Sequence, residues 1–225
     1  MNASSRSPSS PPLVARLSRT RIKFCGMTRV EDVQAATALG VDAIGVVLTE
    51  RSKRFAGIER AVEIRMTLPP FVDLVALFMD DQPGFIAEAV AAVQPDLLQF
   101  HGLETAEECV RYRVPYLKAV AMGGGVDPAE VARTHPAAAG FLLDGHAAGE
   151  QGGSGRTFDW SAAVNTFAKP VVLAGGLTAH NVGAAIRALR PHAVDVSGGI
   201  ESTPGVKDAT KLRAFVEAVR AADAA

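Results

Sequence analysis

The chain has 225 residues, 48% hydrophobic and 21% charged, with 23 Lys+Arg against 24 Asp+Glu. At about 150 residues per domain this is one large domain or two small ones, and the composition is globular. A net charge of -1 leaves no basic surplus for a nucleic-acid backbone or an anionic membrane surface, and no apolar run of about 18 residues is present to span a bilayer. Two cysteines, Cys25 and Cys109, fit reduced thiols in a cytoplasmic compartment better than a disulfide scaffold.

Residues 1–20 stand apart. They hold six serines, three prolines and three arginines (Arg6, Arg16, Arg19) without an acid, and are expected to form a disordered extension; a transit peptide is the sharper alternative. From Arg21 to the end, residues 21–225 read as one catalytic domain. Short apolar, often β-branched runs begin near Ile22, Ala43, Asp73, Leu97, Tyr116, Gly140, Pro170 and Ala193, at gaps of 21, 30, 24, 19, 24, 30 and 23 residues. Each gap holds one strand, one helix and two short loops. Val33, Ala36 and Thr37 mark a helix stopped at Gly40, and Ile86, Ala89, Val90 and Val93 one stopped at Pro95. Val182, Ala185, Ile186 and Leu189 mark another before Pro191, and a last helix spans about Asp208 to Ala222 with Leu212, Phe215, Val216 and Val219 on one face. Eight strands alternating with helices predict an α/β fold with a parallel sheet closed into a single (β/α)8 TIM barrel; an open doubly wound sheet is the alternative.

Active sites of such barrels lie at the carboxyl ends of the strands. There the chain places Cys25-Gly26, Arg51-Ser52-Lys53-Arg54, Gln99-Phe100-His101-Gly102, Asp144, Gly175-Gly176 and Ser197-Gly198-Gly199. The glycines after the seventh and eighth strands let backbone amides approach an anion, which suits a phosphate site; Gly152-Gly153-Ser154-Gly155 supplies a further glycine-rich loop. Cys25 is a candidate base or nucleophile, with Lys23 on the same strand face to favour the thiolate. Asp144, ending an apolar run, is expected to have a raised affinity for protons and to serve as a general acid, with a capping role as the alternative. Arg54 is a candidate carboxylate clamp among charges that otherwise read as a solvated loop. His101 either donates a hydrogen bond or braces the mouth. Cys109 reads as helix packing. His135, His146, His180 and His192 show no local ligand spacing such as H-E-x-x-H, so no catalytic metal is expected.

Lys23-Phe24-Cys25-Gly26-Met27-Thr28, Gln99-Phe100-His101-Gly102, Leu143-Asp144 with Gly152-Gly153-Ser154-Gly155, Asp195-Val196-Ser197-Gly198-Gly199-Ile200-Glu201 and Pro204-Gly205-Val206-Lys207-Asp208 follow one another in the chain. This ordered set closely resembles the phosphoribosylanthranilate isomerases of tryptophan biosynthesis, over about Arg21 to Ala222. The resemblance implies a cofactor-free barrel, monomeric or homodimeric, acting on a phosphosugar by an Amadori rearrangement. It implies Cys25 as the base taking the ribose C2 proton and Asp144 as the acid opening the furanose. It also implies Arg54 on the anthranilate carboxylate, Gln99 and His101 among the substrate contacts, and Gly175, Gly176, Ser197 and Gly198 on the phosphate. Ser197-Gly198 stands where the family often has two serines, and Val47-Leu48-Thr49-Glu50 replaces a more aromatic segment. Another phosphosugar isomerase or epimerase, or a non-catalytic sugar-phosphate sensor, are the competing functions.

Overall fold

The computed structural model describes residues 19–146, 158, 160 and 167–225. The loop glycines 152–155 and all but the last two residues of the expected tail lie outside them. Those two are held: Arg19 pairs with Asp42, and Thr20 is buried with its N–H and hydroxyl donating to the Asp223 carboxylate at 2.8 and 2.6 Å.

Eight parallel strands close into a barrel in sequence order: β1 (Arg21–Phe24), β2 (Ala43–Val47), β3 (Asp73–Phe78), β4 (Leu97–Phe100), β5 (Tyr116–Ala121), β6 (Gly140–Asp144), β7 (Val171–Leu173) and β8 (Ala193–Val196). Every strand starts within one residue of its expected position. β7 begins at Val171 because Pro170 has no N–H for the ladder; its carbonyl accepts from Phe141 N instead. Helices α1 (Val30–Ala38), α2 (Gly57–Thr67), α3 (Pro83–Val93), α4 (Ala106–Val110), α5 (Pro128–Thr134), α6 (Val182–Leu189) and α7 (Ala209–Asp223) lie between and after the strands. On α7, Leu212, Phe215, Val216 and Val219 are all buried, as their spacing predicts. Cys109 on α4 is fully buried against the barrel.

Strand residues alternate between two environments. Outward-facing Ile22, Phe24, Val194 and Val196 join the core shared with the helices, while Leu117, Ala119, Leu142, Val172, Ala174 and Ala193 pack as a second cluster in the barrel interior. The β1–β8 closure sets Lys23 opposite Asp195. After β8 the chain makes a 3-10 turn (Gly198–Ile200) and a small hairpin, β9 (Glu201–Thr203) with β10 (Val206–Lys207), before α7. The sequence pattern does not announce this hairpin, because strands of three and two residues are too short to show alternation.

Candidate active site

A cavity of about 220 Å³ opens at the carboxyl ends of the strands. Its lining contains all nine candidates: Cys25, Arg54, Gln99, His101, Asp144, Gly175, Gly176, Ser197 and Gly198. Of the charged run after β2, Arg54 turns inward, Lys53 is exposed, and Arg51 donates to the Met79 carbonyl.

One wall is built from β1, β8 and the hairpin. Cys25 follows β1, tied by its N–H to the Val196 carbonyl at 2.9 Å. Lys23, two residues back on the inward column, donates from Nζ to Asp195 Oδ2 at 2.9 Å, and both are buried. Gly45 on β2 leaves room for them: a Cβ there would lie 2.8 Å from Cys25 Sγ. Burial pushes the Cys25 thiol up, and Asp195 adds to this; Lys23 and Lys207 pull the other way and do not prevail. Lys23 does favour the thiolate, as its place on the strand face suggests, but it also pairs with Asp195, and burial outweighs its pull on Cys25.

Beside Cys25, Arg54 donates from Nε and Nη2 to the two oxygens of Glu201, each at 2.8 Å. Two of its five donors are thus used, in a bidentate pair that fixes the guanidinium plane. Gly26, at φ 71°, is required beneath it, since a Cβ would fall 2.5 Å from Arg54 Cδ. Lys207, on β10, buries its ammonium under both groups, donating to Glu201 Oε1 at 2.8 Å, the Cys25 carbonyl at 2.7 Å and the Ser197 carbonyl at 3.3 Å. Burial pushes Lys207 down, while Arg54 and Lys207 hold Glu201 below the usual carboxylate range against its own burial.

The opposite wall comes from β4 and β6. Asp144 ends β6, and its Oδ2 lies 3.5 Å from both His101 Nε2 and His146 Nδ1. The two imidazoles lie face to face at a 31° tilt, with centroids 4.6 Å apart. These contacts are looser than hydrogen bonds: His101 Nε2, His146 Nδ1 and Asp144 Oδ1 are buried without hydrogen-bond partners. Gln99 Nε2 donates to His101 Nδ1 at 3.2 Å. Burial alone would raise the Asp144 carboxyl, but the two imidazoles outweigh it and hold it well below the usual range. The raised proton affinity expected from the apolar run is thus corrected, because the run does not show the histidines that the fold brings alongside.

Between the walls lies the glycine cradle. Gly175 and Gly176 both have positive φ, and Asn181 braces their turn, donating from Nδ2 to the Gly176 carbonyl and accepting from Thr178 N. Gly199 packs so closely that a Cβ would stand 1.9 Å from the Leu177 carbonyl oxygen. The buried Ser197 hydroxyl oxygen has no hydrogen-bond partner. Tight glycines, a hydroxyl and nearby cations suit an anionic group.

The strand-end reading does not single out Glu201, Lys207 or His146. The first two come from the unannounced hairpin. His146 had a signal: it lies two residues past Asp144, as His101 lies two past Gln99, on the same inward column.

The family model of N-(5'-phosphoribosyl)anthranilate isomerase matches residues 22–218. The N-(5'-phosphoribosyl)anthranilate isomerase of Pseudomonas aeruginosa is 53% identical over 200 residues, covering 89% of this chain and 95% of that protein. The phosphoribosyl anthranilate isomerase structure from Thermotoga maritima superposes with a TM-score of 0.82 at 37% identity, covering 90% of this chain and 99% of that one. A phosphoribosyl anthranilate isomerase solved with reduced 1-(o-carboxyphenylamino)-1-deoxyribulose 5-phosphate superposes with a TM-score of 0.76 at 34% identity, covering 90% and 99%.

Proposed function

Given that the chain belongs to the N-(5'-phosphoribosyl)anthranilate isomerase family, we infer that it converts N-(5-phosphoribosyl)anthranilate into 1-(2-carboxyphenylamino)-1-deoxyribulose 5-phosphate, an isomerisation of tryptophan biosynthesis. No described helix is long and apolar enough to cross a membrane. The observation that carries the mechanism is the placement of Cys25 and Asp144 in one cavity with Arg54 and the glycine cradle.

The cradle of Gly175, Gly176, Ser197 and Gly198 takes the phosphate, and Arg54, oriented by Glu201, offers its remaining donors to the anthranilate carboxylate. Asp144 gives a proton to the furanose ring oxygen as the C1–O bond breaks and the anilino nitrogen forms a C1=N bond. Cys25 then removes the C2 proton, the C2 electron pair closes a C1=C2 enamine, and tautomerisation yields the ketone. Atoms and charge balance, with no external oxidant. Two imidazole nitrogens, His101 Nε2 and His146 Nδ1, each 3.5 Å from Oδ2, flank the acid. The base is a thiolate present as a minor species, to which Lys23 and Lys207 supply favourable charge.

Loss of anthranilate fluorescence on adding purified protein to substrate is the test. Cys25→Ser should lower kcat by about 10²–10⁴-fold while binding a reduced product analogue within a few-fold of wild type; undiminished turnover removes Cys25 as the base.

A further inference from the structure

Asp144, His101 and His146 form a tighter cluster of ligand-type atoms than the isomerisation chemistry requires. Their ligand atoms lie within 4.8 Å of one another, and all three residues are buried, at 4%, 8% and 2% exposure. His101 Nε2, His146 Nδ1 and Asp144 Oδ1 have no hydrogen-bond partner. Leaving three such atoms unsatisfied at one point is costly unless something else meets them there. An acid–base role needs one imidazole at most.

Two of the three donor separations fit a small metal ion, and the third, between the imidazole nitrogens, lies within 4.8 Å. A tetrahedral ion bound at roughly 2.0–2.2 Å separates its donors by about 3.3–3.6 Å, and both imidazole nitrogens stand 3.5 Å from Asp144 Oδ2. Two imidazoles and one carboxylate are a donor set for Zn²⁺ or Co²⁺, not for Mg²⁺ or Ca²⁺. The group also has a built-in tautomer control. Gln99 Nε2 donates to His101 Nδ1, which leaves the proton on Nε2, facing Asp144, while Gln99 Oε1 is buried without a partner. A half-turn of the Gln99 amide puts Oε1 on an Nδ1–H and turns the Nε2 lone pair into the cluster, the arrangement metal-binding histidines use. His101 and Asp144 line the active-site cavity, and His101 and His146 an adjoining one, so the group lies between two cavities.

We propose that His101 Nε2, Asp144 and His146 Nδ1 form a three-ligand site for a divalent transition ion of the Zn²⁺ class, which reversibly blocks the enzyme by occupying its acid. Binding stands on the geometry alone; the inhibition rests on the reading of Asp144 as the general acid.

The test titrates untagged, metal-free protein with Co²⁺ and follows its visible d–d absorption, with Zn²⁺ as competitor. One ion per chain is expected, with the strong bands of tetrahedral coordination. His146→Phe keeps a ring against His101 but offers no ligand atom, and His146→Gln is the smaller alternative; each should weaken binding by at least tenfold. Cys25→Ser should bind as wild type does. Absence of binding at millimolar Co²⁺ and Zn²⁺, undiminished binding in both folded His146 variants, or thiolate charge-transfer bands that vanish in Cys25→Ser would each overturn the site. Turnover should fall in step with occupancy and return on adding a chelator. Full occupancy with full turnover would keep the site and remove Asp144 as the acid.

Discussion

The two walls of the cavity handle charge differently. On the β1–β8 side Lys23–Asp195, Arg54–Glu201 and Lys207–Glu201 all close at 2.8–2.9 Å, and Lys207 also reaches two carbonyls. On the β4–β6 side Asp144 and its two imidazoles approach only to 3.5 Å and leave lone pairs and protons unmatched, although the neighbouring Lys118–Glu104 pair closes at 2.8 Å. A buried ion pair is costly to break because its partner is left uncompensated, so the first wall is rigid scaffolding for Cys25 and Arg54. The second wall holds its carboxylate through two imidazoles at longer range and keeps atoms ready to exchange a proton. Preorganisation and reactivity are thus divided between opposite sides of one barrel.

The largest expected effects set one wall against the other. Lys207→Met deprives Glu201 Oε1 and the Cys25 and Ser197 carbonyls of their donor, and should cost roughly 3–5 kcal/mol of stability. Differential scanning calorimetry should register a fall in Tm of about 6–20 °C. Asp144→Asn gives up the interaction by which His101 and His146 hold the buried carboxylate, and should cost about 1–3 kcal/mol of stability while lowering kcat by about 10²–10⁴-fold. If Asp144→Asn unfolds the protein, or Lys207→Met leaves the Tm in place, the division between the walls is wrong.

The strand boundaries and the nine candidate residues are legible in the sequence because a parallel barrel has a strict grammar: apolar run, polar end, helix, repeat. Period 2 carries the reading further. Ala193, Asp195 and Ser197, or Leu97, Gln99 and His101, climb one inward column from apolar to polar. What sequence cannot carry is the meeting of columns. Asp144 follows three apolar residues, which argues for a raised proton affinity, yet the imidazoles that reverse it come from the end of β4 and from the turn beyond β6. Cys25 has Lys23 two residues back, yet the β1–β8 register assigns that cation to Asp195. The hairpin supplying Glu201 and Lys207 is too short to leave a periodic signature.

A smaller effect sharpens the account of the rigid wall. With burial holding the thiol above the ordinary cysteine range, alkylation of Cys25 by iodoacetamide should accelerate about tenfold per pH unit without levelling off below about pH 9. Site-resolved mass spectrometry measures it, and inorganic phosphate in the cradle should slow it by covering the mouth. A plateau near pH 7 would show that Lys23 and Lys207 do prevail over burial, making the resting base a thiolate.

The smallest effect is expected away from both walls, at Cys109. Burial against the barrel pushes this thiol up to about 12 from 9.0. The sign follows from linkage: between those values the unfolded chain releases the proton while the folded chain keeps it, so stability is fully present below about pH 9 and declines above it. By pH 10 the decline from this one group is about 1 kcal/mol. Cys109→Ala should flatten that alkaline loss in urea titrations without abolishing it, because burial also pushes the Tyr116 phenol up to about 12. Turnover at neutral pH should stay within about twofold of wild type, since Cys109 lies on α4 and outside the cavity lining. An alkaline slope unchanged by Cys109→Ala would mean that the thiol is solvated in the folded protein, and that α4 packs more loosely on the barrel than its full burial indicates.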